Sequence, residues 1–250
     1  MLGFLKHETN PNDRYWDLDV LRGIATLGMI VFHFTFDLSY FGVISADTIY
    51  KPGWVLFQQI IAGTFIFIAG VGFDLCHGQR IKWRYIKKRV LILGSLSALI
   101  SIVTYFIFGP FLIKFGILHC ILALSLISIL IVGLSTSRLI VITISLATVY
   151  FYLDPPVAIP GSFDFIIRTI HPHHSVDYRP IFPWIIVFLI GMIFSRLIWR
   201  SKKPIFFSNK TKSIKSLKPL IFIGKNSLII YIIHQPILFS IMYIYIVLEL

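Results

Sequence analysis

His33 and Asp37 stand four residues apart, a spacing that in a helix puts both on one face, one turn from each other. A carboxylate in that position can orient an imidazole and raise its basicity. Those are the needs of a general base that takes a proton from an amine or a hydroxyl. Arg22 precedes His33 by eleven residues, about three helical turns, and Asp17 and Asp19 lie just before it. Two further histidines, His119 and His234, occupy other apolar stretches. Titratable groups in such stretches are costly to bury and tend to mark a polar interior or a site. Each histidine also has a purely architectural reading, a hydrogen bond across helices that stabilises packing. No metal site is expected, because no two histidines within one apolar stretch are three or four apart. His171, His173 and His174 are a closer cluster and read as a polar loop.

The stretches that must position these groups are long and apolar. The chain is 57% hydrophobic and 14% charged, with 23 Phe and 11 Tyr; a soluble domain carries about 25% charged residues. Blocks of about 20 apolar residues can cross a bilayer. Seven segments read that way: Leu18–Phe41, Trp54–Cys76, Val90–Phe108, Phe115–Leu134, Leu139–Leu153, Ile181–Trp199 and Pro219–Leu248. The expected fold is therefore all-α, a polytopic transmembrane helix bundle of about seven spans forming one integral membrane domain over 1–250. Pro236 should kink the last span, since proline removes a backbone hydrogen bond and crowds the preceding turn. The first apolar stretch holds Arg22, His33 and Asp37 with no small-residue cleavage site after it, so it reads as a retained helix.

Loop charges set the orientation. With the N-terminus in the cytoplasm, all of the 23 basic residues except Lys51, Lys114, Arg168 and Arg179 fall on the inner side, as the positive-inside bias requires. The net charge of +12 thus belongs to topology, and nucleic acid is not an expected partner. The basic inner loop Arg200–Lys218 suits either anionic lipid head groups or a phosphorylated cofactor. The other long connection is the outer loop Asp154–Pro180. Cys76 and Cys120 fall near opposite faces, so no disulfide is expected. At about 1.5 Å per residue, His33 and His234 lie about 20 Å from the inner ends of their spans. His119 lies about 8 Å from the outer end of its own span, which is the same level in a core about 30 Å thick.

The stretch Trp16-Asp17-Leu18-Asp19-Val20-Leu21-Arg22-Gly23-Ile24-Ala25, continuing to His33-Phe34 and Asp37-Leu38, resembles the first helix of the heparan-α-glucosaminide N-acetyltransferase-like family of transmembrane acyltransferases. Gly116-Ile117-Leu118-His119 is similar to the same family's prokaryotic members. So are the run Asp177-Tyr178-Arg179-Pro180-Ile181-Phe182-Pro183-Trp184 and Gly224-Lys225-Asn226-Ser227-Leu228, which leads on to Tyr231 and His234-Gln235-Pro236. The Arg22/His33 spacing also resembles the Arg-x10-His pattern of the related O-acyltransferases. The resemblance implies transfer of an acetyl or other acyl group from cytoplasmic acetyl-CoA to a sugar or glycolipid hydroxyl or amine across the membrane, with no metal. It implies His33 as catalytic base with Asp37 in support, and His119 and His234 lining the chamber. Arg22 and Lys225 would stand on the cofactor side, and Asp177, Arg179 and Trp184 on the acceptor side. This chain has fewer spans than the larger animal enzymes. Its outer loop over 42–52 also lacks the histidine found there in the animal enzyme, which places more weight on His33. The implied partners are acyl-CoA, the acceptor and membrane lipids, with room for a homodimer, in a prokaryotic cytoplasmic membrane. Two readings remain beside the enzyme: a proton-coupled transporter or channel built on the His/Asp set, and a non-catalytic membrane binding protein. The first lacks the paired, Gly/Pro-broken helices common in transporters.

Overall fold

A computed structural model describes residues 15–78, 80–152, 177–198 and 216–248. The histidine cluster at 171–174 and most of both long loops lie outside the described residues. Within them the chain is helical: α1 (Trp16–Tyr40), α2 (Pro52–His77), α3 (Trp83–Phe108), α4 (Ile117–Ile129), α5 (Thr136–Tyr152), α6 (Ile181–Leu197), α7 (Lys218–Lys225) and α8 (Ser227–Val247). Short 3-10 turns at Thr48–Tyr50 and Gly109–Phe111 precede α2 and follow α3.

The helices follow the expected segments, but the span count is corrected. Among the described residues α1, α2, α3 and α8 are long and apolar enough to cross a membrane, four rather than about seven. α4 has 13 residues and α5 and α6 have 17 each, giving roughly 20 Å and 26 Å against a hydrocarbon core about 30 Å thick. α4 was expected to run to Leu134; it stops at Ile129 and turns, and the carbonyls of Val132 and Leu134 accept hydrogen bonds from Arg196 at 2.9 and 2.5 Å. The last span is also divided. Asn226 (φ −103°, ψ 10°) separates α7 from α8, and Pro236 lies inside α8. Arg84, Lys87, Lys88 and Arg89, expected in a loop, belong to the first turns of α3.

Several hydroxyls inside these apolar helices satisfy themselves locally. Thr26, Thr35, Thr104, Ser125 and Thr143 each donate to the carbonyl one turn earlier, at 2.5–3.0 Å. A hydroxyl that back-bonds in this way needs no water.

The chain divides into two compact units, Met1–Phe65 with Pro204–Leu250, and Ile66–Lys203. In the first, α1 packs on α7 and α8. Glycine makes the α1–α7 approach close: a Cβ at Gly224 would strike the Asp19 carbonyl oxygen, and one at Gly23 that of Leu220. Such small-residue contacts let helix backbones approach within a membrane. Met29, Phe32 and Ile61 form the core of this unit, against Trp54, Phe57, Phe65 and Tyr231. In the second unit α3 packs on α4, and α6 on α4 and α5. Gly70 and Gly191 bring α2 and α6 together, each facing the other helix's backbone at Phe188 and Phe67.

Candidate functional site

In the first unit, two histidines from opposite ends of the sequence meet. The His33 ring on α1 and the His234 ring on α8 lie 4.8 Å apart, centroid to centroid, at 70°. Phe32 stands edge-on to His33 at 5.8 Å, and Trp54 lies 6.3 Å from Phe32. Nδ1 of His234 is 2.8 Å from the Tyr231 carbonyl. A carbonyl only accepts, so Nδ1 carries the hydrogen in this contact. One turn further along α1, Asp37 is fully buried. Its Oδ1 accepts a hydrogen bond from Gln235 Nε2 at 2.7 Å. Asp37 was expected to orient the His33 imidazole; its hydrogen bond goes instead to the amide next to His234. Gln235 belongs to the stretch that carries the resemblance, yet nothing in its type or spacing marked it. Only the pairing of α1 with α8 brings it to Asp37.

Nearer the start of α1 in the same unit, Arg22 bridges to the fully buried Asp19 at 3.0 Å. Gly224 presses α7 against that level of α1, and Lys225 is exposed at the end of α7.

His119 belongs to the second unit, and both of its ring nitrogens are engaged. Nδ1 accepts the Gly116 N–H at 3.3 Å, and Nε2 lies 3.3 Å from Ser101 Oγ, whose hydroxyl donates to the Ile113 carbonyl at 2.6 Å. These roles agree with one tautomer, Nδ1 bare and Nε2 protonated. The ring therefore ties α3 to the first turn of α4 by reaching back to the residue that precedes the helix. A Cβ at Gly116 would lie 2.8 Å from Ile113 Cγ2 and 3.2 Å from the Asp177 carbonyl oxygen, so a side chain there would force this corner apart. Asp177 receives the Ile117 N–H at 3.3 Å, a carboxylate at a helix start where the dipole favours it. Arg179 lies 3.6 Å from Asp177 and pairs its own backbone N–H with the Phe115 carbonyl at 2.9 Å. Trp184 stands half-buried in the first turns of α6. Cys76 and Cys120 are both free thiols.

The second unit also holds an ion pair that the sequence reading overlooked. Arg196 Nε donates to Asp74 Oδ1 at 2.7 Å, and both side chains are buried. With its two bonds to the turn after α4, this guanidinium joins the ends of α2, α4 and α6. Arg196 had been counted only as a loop charge, and Asp74 near the end of an apolar span was the signal available. Among the described residues no group of three His, Cys, Asp or Glu side chains could hold a metal ion.

The family described as heparan-alpha-glucosaminide N-acetyltransferase, catalytic, matches residues 14–236. The chain belongs to this family. That stretch takes in α1 and its His33–Asp37 face, the His119 corner and α8 as far as Pro236. Acetyl transfer by a membrane protein is therefore the general activity. No curated protein and no solved structure matches the chain.

Proposed function

We propose that this membrane acetyltransferase takes its acetyl group from cytoplasmic acetyl-CoA and passes it to a hydroxyl or amine of a sugar or glycolipid on the outer side. His33 serves as the general base. The observation that carries this reading is the contact of His33 with His234, 4.8 Å apart on two span-length helices, one turn from the buried Asp37–Gln235 bond.

The acceptor nitrogen or oxygen attacks the thioester carbonyl carbon while His33 takes its proton. The carbon–sulfur bond then breaks, and the imidazolium returns that proton to the departing CoA thiolate. His234 abuts the His33 ring and limits its orientation. Arg22 and the exposed Lys225 supply positive charge for the CoA phosphates at the inner end, where the phosphate chemistry favours basic side chains. Asp177, Arg179 and Trp184 are assigned to the outer, acceptor side, and His119 acts there as a positioning residue for the start of α4. The loop charges favour a multi-pass protein with its N-terminus inside, an orientation in which the short helices α4–α6 together carry the chain back to the inner face before α7. A prokaryotic cytoplasmic membrane is the proposed setting.

Titration calorimetry of acetyl-CoA into the full chain in detergent tests the donor. Binding that weakens roughly tenfold in Lys225→Glu, about 1.4 kcal/mol, is the expected result. Absence of binding at millimolar acetyl-CoA in folded protein would remove the donor assignment.

A further inference from the structure

Asp37 is fully buried, yet only one of its oxygens is used. Oδ1 accepts from Gln235 Nε2, while Oδ2 has no hydrogen-bond partner among the described residues, and neither does the equally buried Oε1 of Gln235. No described cationic side chain bridges to Asp37; the described ion pairs are Arg22–Asp19, Arg179–Asp177 and Arg196–Asp74. Buried acceptors without donors are expensive. Several hydroxyls in these helices back-bond to avoid that cost. Among the described buried atoms without a hydrogen-bond partner, the Asp37–Gln235 pair is set apart by having two such oxygens on side chains already bonded to each other.

We infer that Asp37 Oδ2 and Gln235 Oε1 are the recognition site for the acetyl acceptor, binding it through two of its hydrogens. The inference rests on the proposed function and deepens it. The two oxygens belong to groups already bonded to each other, so one small ligand can reach both. Their demand is for donors only: two N–H of an amine, or the O–H groups of two neighbouring hydroxyls. An acceptor held there lies next to the His33–His234 contact, because Asp37 follows His33 by one turn and Gln235 follows His234 directly. The nucleophile is thus presented to the base. Because α1 starts at the inner side, Asp37 is also outward of His33, on the side from which an outer acceptor arrives.

Asp37→Asn separates recognition from architecture. Asparagine still offers a carbonyl oxygen to Gln235 Nε2, so the tie between α1 and α8 persists, but an NH2 donor replaces Oδ2. The full chain in detergent is assayed for CoA release with three acceptors: a 2-amino-2-deoxyhexoside, the matching hexoside and a 2-deoxyhexoside. Acetyl-CoA affinity is measured in parallel by calorimetry. The expected result is a rise in acceptor KM of roughly tenfold or more, the scale of one bond to a charged group, with acetyl-CoA affinity unchanged. Gln235→Met, which removes Oε1 at similar length, should raise the same KM. A penalty confined to the aminohexoside identifies the amine as the bound group; one shared by the hexoside but not the 2-deoxyhexoside identifies the hydroxyl pair. If the native chain acetylates an acceptor and Asp37→Asn leaves its KM unaltered, the pair is architectural and the inference is overturned. If the native chain does not bind acetyl-CoA, the underlying function falls with it.

Discussion

His33 and His119 are the same side chain in two kinds of surroundings, and the difference governs what each substitution should do. Removing a general base costs roughly 10²- to 10⁴-fold. His33→Ala should therefore lower kcat by at least about a hundredfold with little change in acetyl-CoA affinity, as read by CoA release and calorimetry. His119 holds Gly116 and Ser101, so His119→Ala should instead appear in thermal melts, with a stability loss of about 1 kcal/mol. Interhelical hydrogen bonds in membranes are worth roughly 0.6 kcal/mol each. Ser101→Ala combined with His119→Ala should cost less than the sum of the two, because they share one bond; additive losses would break that link. The sequence made His33 and His234 legible, since a histidine in an apolar span stands out by type. It could not separate them from His119, whose partner Ser101 lies 18 residues away on α3. Gln235 was invisible for the same reason, as its partner Asp37 is 198 residues away.

At the scale of elements, apolar run length predicted where helices form but not where they stop. α4 ends early in a stretch that stays apolar, at a turn whose carbonyls Arg196 holds while also neutralising Asp74. Removing one partner of a buried ion pair leaves an uncompensated charge and costs about 3–5 kcal/mol. Arg196→Met alone should therefore be severely destabilising. The double variant Arg196→Met with Asp74→Leu should recover part of the loss in thermal melts, and a double variant worse than either single change would contradict this account. The break at Asn226 was likewise missed. Gly224-Lys225-Asn226-Ser227 interrupts the apolar run at that point, and what distinguishes α7 is its glycine contact with the α1 backbone. Gly224 belongs to a stretch that carries the family resemblance, and the physical reason for a glycine there is that close approach.

For the whole molecule, the loop charges make a prediction independent of any chemistry. In a background with Cys76 and Cys120 replaced, Ala46→Cys in the turn after α1 should react with a membrane-impermeant maleimide added to intact cells. Arg80→Cys between α2 and α3 should react only after permeabilisation. The reverse pattern would invert the orientation and move the proposed donor side to the wrong face. The helical membrane architecture could be read from composition and run length, whereas the number of full spans could not, because it depends on how three short helices end. The central claim is acetyl transfer from acetyl-CoA through His33. Its most direct measurement is release of free CoA by the purified full chain on adding sugar acceptors, comparing the native protein with His33→Ala. The account predicts acceptor-dependent release that His33→Ala lowers at least about a hundredfold. Equal release from the two proteins would contradict it.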